Sequence, residues 1–280
     1  MPPVAPHFQT VGCLTGEVPV RATESDVLAR HVGIVKKSIP ESTHMTIQFS
    51  TVKEPRHLRI SLKRGLAKQA VSKAQKAQAD DAAIFSELRN VSPNRRSMER
   101  SVLRLRKSPG VVRAGIADDQ IIVIFRHACA MLTRVDGVDL FSENVLIYTR
   151  VSASAGKGKL GIRINRVSFN QHALERLIER SRCRIRPDFL SSVDAEAAAA
   201  LKLAQDGEWI EDNGDDYIQS RENGVWAGSL DFSSAEPEWD LQQADAQIPV
   251  FSARTFLGPE EMKPSVWLRW QDDPCLSFVA

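Results

Sequence analysis

The chain has 280 residues, of which 42% are hydrophobic and 26% charged, and its 37 lysines and arginines stand against 35 aspartates and glutamates, a net charge of +2. That composition is ordinary for a folded globular protein, which excludes wholesale disorder, and the length allows one large domain or two modest ones. The most hydrophobic uninterrupted run, residues 121–125, falls far short of a membrane span, and the start Met1-Pro2-Pro3 lacks the basic-then-apolar pattern of a signal peptide.

Residues 1–20 hold four prolines and two glycines and read as irregular. Ser25, followed by Val27, Leu28 and Val32, predicts a helix start, and the alternation over residues 46–52 predicts a strand ended by Pro55. Residues 58–90 are rich in Ala, Lys, Gln and Leu, which predicts one long helix or two, broken near Asp80-Asp81. Pro93 marks a turn, residues 95–107 read as a short basic helix, and Pro109-Gly110 stops it. Strands are predicted at 121–125, 145–151 and 160–167, the last two joined by a glycine-containing hairpin loop. Asn170 or Ser168 can cap a helix over 171–182, in which Leu174, Leu177 and Ile178 form one buried stripe. An alanine-rich helix at 195–203 is stopped by Gly207. Short strands follow at 209–210, 217–219, 225–227 and 248–257, with Asn213-Gly214 and Asn223-Gly224 as tight turns. Residues 233–240 read as a loop and 266–270 as a last strand or helical turn.

The small net charge hides an asymmetry. Residues 51–190 carry 28 basic and 13 acidic side chains, an excess of +15, whereas residues 191–280 carry 5 and 18, an excess of −13. A basic block of that size is the electrostatic footprint of a polyanion binder, and the acidic end can neutralise it within the fold or in a dimer. Both blocks dispersed over solvated faces is the plain alternative.

The segment richest in chemistry is Asn170-Gln171-His172-Ala173-Leu174-Glu175-Arg176-Leu177-Ile178-Glu179-Arg180. His172, Arg176 and Arg180 recur every four residues, so a helix places them on one face, away from the apolar stripe. Imidazole can move a proton near neutral pH, and a guanidinium can hold a phosphate bidentately. The competing reading is a helix surface with ordinary Arg–Glu pairs and His172 in its first turn.

The pattern His-Ala-Leu-Glu-Arg at 172–176, followed by a helix, turn-linked strands and a strand bearing Arg254-Thr255-Phe256-Leu257, resembles BrnT-like toxin domains of the RelE/barnase/EndoU/colicin ribonuclease group, over residues 166–262. The resemblance implies metal-independent RNA cleavage on a helix-plus-antiparallel-sheet core. It implies His172 as the proton-transfer group, Arg176, Arg180 and Arg254 as phosphate holders, and Thr255 as a positioning hydroxyl.

A second set, Lys63, Arg64, Lys68, Lys73 and Lys76, then Arg95, Arg96, Arg100, Arg104, Arg106 and Lys107, is a candidate nucleic-acid surface. Only Phe85 is there to stack on a base, so base reading of single strands is not expected. The Ala155-Gly156-Lys157-Gly158-Lys159 loop lacks phosphate-loop spacing, and His172 has no second histidine nearby to complete a metal pair. His127 and Cys129 share one face of a strand and read as a structural pair.

The expectation is an α+β protein with a basic helical part, 1–110, followed by a domain, 111–280, of antiparallel strands packed on the His172 helix. Its expected activity is that of a metal-independent ribonuclease acting on RNA; the alternative is a noncatalytic nucleic-acid-binding or protein-interaction module. No cofactor or metal is expected. RNA is favoured over DNA, a neutralising protein partner is compatible with the charge split, and no membrane role is expected. Four dispersed cysteines without a C-x-x-C pair suit a reducing cytoplasm.

Overall fold

A computed structural model describes residues 56–135, 138–156, 159–181, 188–236, 239 and 247–272. The chain divides after Thr51, and everything described lies in the second unit, Val52–Ala280. The elements expected within residues 23–32 and 46–52 lie outside the described residues.

Three helices come first: α1 (Arg56–Lys76), α2 (Asp81–Arg89) and α3 (Arg95–Leu105). The expected break near residue 80 is there, because the Asp80 side chain accepts from Ala83 N at 3.0 Å and so caps α2. Asn94 caps α3 in the same way, accepting from Ser97 N at 2.8 Å. Strands β1 (Val111–Ala117), β2 (Gln120–Val135), β3 (Val138–Gly156) and β4 (Lys159–Asn170) follow, then helices α4 (Gln171–Arg180) and α5 (Phe189–Asp206). The remainder is β5 (Ile210–Asp212), β6 (Asp215–Gln219), β7 (Val225–Ser234), β8 (Gln247–Leu257), a short 3-10 turn and α6 (Pro264–Asp272).

The fold is α+β. The strands make one eight-stranded sheet in the order β1-β2-β3-β4-β8-β7-β6-β5, antiparallel throughout except where β4 runs parallel to β8. That parallel pair arises because α4, α5 and the β5–β7 meander intervene between its strands, and parallel neighbours need such a crossover.

Each sheet face carries its own core. On the first face, Ile124, Leu146, Tyr148, Val167, Phe169, Trp226, Phe251 and Phe256 pack against α1, α4 and α5. Buried Ala67, Ala70 and Ala74 let the α1 backbone come close to its neighbours. On the second face, α2, α3 and Trp239 cover Ile121, Val123, Phe125, Val151, Ala153 and Ile164, while Met262 and Val266 cover Tyr217 and Val225 at the other end. Trp239 is fully buried, stacked on Phe85 with ring centroids 4.8 Å apart and lying 4.5 Å from the guanidinium carbon of Arg166.

Several sequence expectations are corrected by this arrangement. Helices α1–α3, which lie before the boundary expected at residue 110, share both cores with the strands that follow. Strand β1 was not expected; it returns to β2 through Asp118-Asp119, with φ of 49° and 56°. Two left-handed residues are what a two-residue hairpin needs, and here aspartates serve where Asn-Gly is the usual signature. Asn213-Gly214 does make such a turn, with φ of 54° and 82°. Asn223-Gly224 instead lies inside the longer connection between β6 and β7, closed by Ser220 N donating to Gly224 O at 3.1 Å. Strands β2 and β3 run 16 and 19 residues, far past their apolar centres, because paired neighbours satisfy the backbone of their polar ends. Residues 266–270 are helical, within α6. No helix among the described residues is long and apolar enough to cross a membrane.

Candidate functional site

Helix α4 forms as its sequence dictates. The Asn170 side chain accepts from Ala173 N at 2.7 Å, and Ala173, Leu174, Leu177 and Ile178 bury one stripe on the first face of the sheet. Glu143 closes the helix start, accepting from Asn170 Nδ2 at 3.1 Å and from His172 N at 3.3 Å. His172 is exposed, and its Nε2 accepts from Arg176 Nε at 3.4 Å, so this expected pair does meet.

Arg176 is also held by Glu179 at 2.8 Å, and Glu179 takes Lys63 at 2.9 Å. Burial raises the Glu179 carboxyl, but hydrogen bonds from Lys63 and Arg176 outweigh it and hold that group below the usual range. Arg180 is committed elsewhere: Nη1 donates to Phe256 O at 2.7 Å and Nη2 pairs with Glu261 at 2.8 Å. It ties α4 to the end of β8.

Arg254 and Thr255 do not join this pair. Strand β8 bulges at this point: Thr255 pairs with Ala227 and Ala253 with Gly228, which leaves Arg254 as the extra residue. Arg254 Nη2 donates to Ser229 Oγ at 3.1 Å, and Ser229 pairs with Ser252, whose hydroxyl accepts from Ser168 on the second face. Thr255 shares its face with Ala227, in the cluster under α6. Helix α4 lies on the first face. A phosphate at His172 and Arg176 would therefore have the sheet between it and Arg254. The cause is the alternation of side chains along a strand, with a bulge that pattern reading does not register.

The basic residues expected to form a nucleic-acid surface split in the same way. Lys63, Arg64, Lys68, Lys73 and Lys76 ride on α1 over the first face, whereas Arg95, Arg96, Arg104 and Arg106 belong to α3 and its end over the second. Most are engaged. Arg64 lies 3.8 Å from Glu175 and Lys73 3.7 Å from Asp188, Arg95 pairs with Glu99 at 3.0 Å, and Arg106 donates to Ala114 O at 2.8 Å. Arg104 grips Glu87, and that hydrogen bond holds the Glu87 carboxyl below its ordinary value. Only Lys68, Lys76 and Arg96 of this set have no partner among the described residues.

A different group of arginines converges without an ion pair among the described residues. On the first face, Arg113 pairs across to Ile124, Ile124 to Arg150, and Ser152 to Arg163. Neighbouring strands are about 4.8 Å apart, so Arg113 and Arg150 stand about 10 Å apart at the backbone. Arg150 and Arg163 are diagonal neighbours at roughly 7–8 Å, within reach of one another's long side chains. Arg113 and Arg163 are exposed, Arg150 half-buried.

Burial pulls the Arg150 guanidinium below its ordinary value; the charge of Asp206 opposes it, and the smaller effects of Arg113 and Arg163 add to it. No carboxylate among the described residues makes an ion pair with any of the three. Arg150 Nη1 is buried with no hydrogen-bond partner. Such an orphaned donor costs about 1–3 kcal/mol unless something accepts from it. Sequence reading missed this group because β1 was not recognised. The Arg150–Arg163 half was accessible, since a two-residue loop after Gly156 sets the register that makes them diagonal.

No group of three or more His, Cys, Asp or Glu side chains among the described residues is placed to hold a metal. No protein-family model, curated protein or solved structure matches the chain.

Proposed function

We propose that the protein is a noncatalytic nucleic-acid-binding module that holds a phosphate backbone against Arg113, Arg150 and Arg163 on the open part of the first sheet face. The observation that carries this reading is the gathering of Arg113, Arg150 and Arg163 on one sheet face, two of them exposed and none in an ion pair among the described residues. A phosphate held by the exposed guanidinium groups of Arg113 and Arg163 would relieve the repulsion among the three, and guanidinium forks match phosphate geometry. The contact reads backbone charge and not base sequence, in keeping with the absence of aromatic residues from this group.

The test is fluorescence anisotropy with a labelled RNA hairpin and a DNA duplex of the same sequence, titrated from about 50 to 200 mM salt. Each lost phosphate contact lowers the slope of log affinity against log salt by about 0.7–0.9. The Arg113→Gln/Arg150→Gln/Arg163→Gln variant is expected to lose roughly two to three units of slope on the preferred nucleic acid. An unchanged slope and affinity would sink the assignment. The metal-independent ribonuclease reading retains His172 and Arg176 from the expected five residues. Cleavage of the hairpin in EDTA, abolished by His172→Ala, would favour it over simple binding.

A further inference from the structure

The structure also holds a cavity of about 340 Å³ between the start of α5, Leu177 of α4 and the loop joining β6 to β7, whereas the arginine group lies towards Asp206 at the other end of α5. Its floor is Glu196, which is only 4% exposed. Three donors converge on one of its oxygens: Oε2 accepts from Ser220 Oγ at 2.6 Å, Trp226 Nε1 at 3.1 Å and Arg221 N at 3.2 Å. They fix the carboxylate's orientation. Oε1 has no hydrogen-bond partner among the described residues, although it is not sealed off in the manner of the buried orphan atoms elsewhere in the fold. A buried carboxylate with one oxygen saturated and the other facing an open cavity is prepared for a donor that the described protein does not supply.

The rest of the lining indicates the chemistry of that donor. Asp188 and Glu222 add two carboxylates, Ser191 and Ser192 two hydroxyls, and Leu177 and Ala195 an apolar wall. Two positive groups offset them in part: Arg221 in the lining and Lys73, which lies 3.7 Å from Asp188 at the rim. Negative groups still predominate, three to two. The volume sits at the small end of ligand pockets, which suits a compact molecule of a few carbons.

We infer that this cavity binds a small organic cation, a protonated amine or a guanidinium, which donates to Glu196 Oε1 and lays its aliphatic part against Leu177 and Ala195. Burial and the neighbouring charge of Glu222 push the Glu196 carboxyl above its ordinary range, so the cavity is electrostatically unsatisfied as it stands. A bound cation compensates both. The assignment is independent of the arginine group, since none of the residues involved is shared.

Trp226 provides a built-in reporter, because its indole N–H points at the oxygen next to the proposed ligand. The ¹⁵N-labelled full chain is titrated with n-butylammonium, with methylguanidinium and with neutral n-butanol, following the tryptophan indole resonances. A saturable shift of one indole resonance is expected with at least one of the cations and not with the alcohol. Which of the two cations saturates first distinguishes amine from guanidinium. Losing a charged hydrogen bond worth about 1.5–3 kcal/mol weakens binding about tenfold or more in Glu196→Gln. Glu222→Gln, at a less buried position, is expected to weaken it a few-fold with the spectrum otherwise unchanged. Absence of saturation by either cation, an equal response to n-butanol, or unaltered binding in both variants would overturn the inference.

Discussion

Arg126 and Arg150 stand on adjacent strands, on the same face of the same sheet, as diagonal neighbours: Arg126 pairs with Tyr148, two residues from Arg150. Their charges meet opposite fates. Arg126 Nη1 donates to Asp194 Oδ2 at 2.8 Å, and the other oxygen of that carboxylate accepts from the Tyr148 hydroxyl at 2.9 Å. Both partners of the ion pair are mostly buried, with side-chain exposures of 13% and 17%. Burial pushes the Asp194 carboxyl up while Arg126 pulls it down. Arg150 makes no ion pair among the described residues and feels Asp206 on one side and Arg113 and Arg163 on the other, while Arg126 and Arg150 each keep one buried N–H without an acceptor, Nε in Arg126 and Nη1 in Arg150. The first arginine is a structural tie between the sheet and α5. The second has no such tie, and on the proposed reading an external anion takes the place that Asp194 holds at the first.

Substitutions can break or sharpen that contrast. The largest effect is expected at Arg126→Ala, which strands the Asp194 carboxylate in a mostly buried position and costs about 3–5 kcal/mol, read by urea unfolding. Arg150→Gln should do the reverse. Stability stays within about 0.5 kcal/mol of the parent or rises, because a like charge and an orphaned donor are removed together, while nucleic-acid affinity falls about tenfold. A large loss of stability in Arg150→Gln would mean that the guanidinium is structural after all.

Glu196 gives a pH-dependent prediction. Its carboxyl lies above the ordinary 4.5, chiefly through burial. Between that value and its folded one, the native state holds a proton that the unfolded chain has released, so stability declines as pH rises through the window. Glu196→Gln should flatten that decline in urea midpoints measured from pH 4 upward on the scale of about one pH unit per step. The smallest effect is expected at Lys63→Gln. Glu179 keeps its second partner, Arg176, when Lys63 is neutralised, so no buried charge is stranded and the loss is under about 1 kcal/mol, with no change in the salt slope of nucleic-acid binding. A slope change there would show that α1 also touches the phosphate backbone.

How much of this could be read from the chain alone varied with range along the sequence. The break between α1 and α2, the cap at Asn170 and the apolar stripe of α4 depend on residues within a turn of one another, and they were legible. So was the meeting of His172 with Arg176, one helical turn apart. Strand β1 was hidden because its turn uses Asp118-Asp119, and with it went Arg113. Arg254 was misplaced because a single-residue bulge changes where a side chain points without any compositional trace. The block of +15 against −13 was legible as a count but not as a surface. Lys63 finds Glu179 across 116 positions, and Arg126 finds Asp194 across 68.

By itself the chain's order of residues determined the class of fold, most of its elements and the existence of a basic excess, since propensity, capping and hydrophobic period are local properties. Which basic residues keep their charge unpaired was decided only in three dimensions. Strand register and helix packing choose the carboxylates that come within reach, and they leave Arg113, Arg150 and Arg163 without an ion pair among the described residues, with Asp206 acting on Arg150 from farther off.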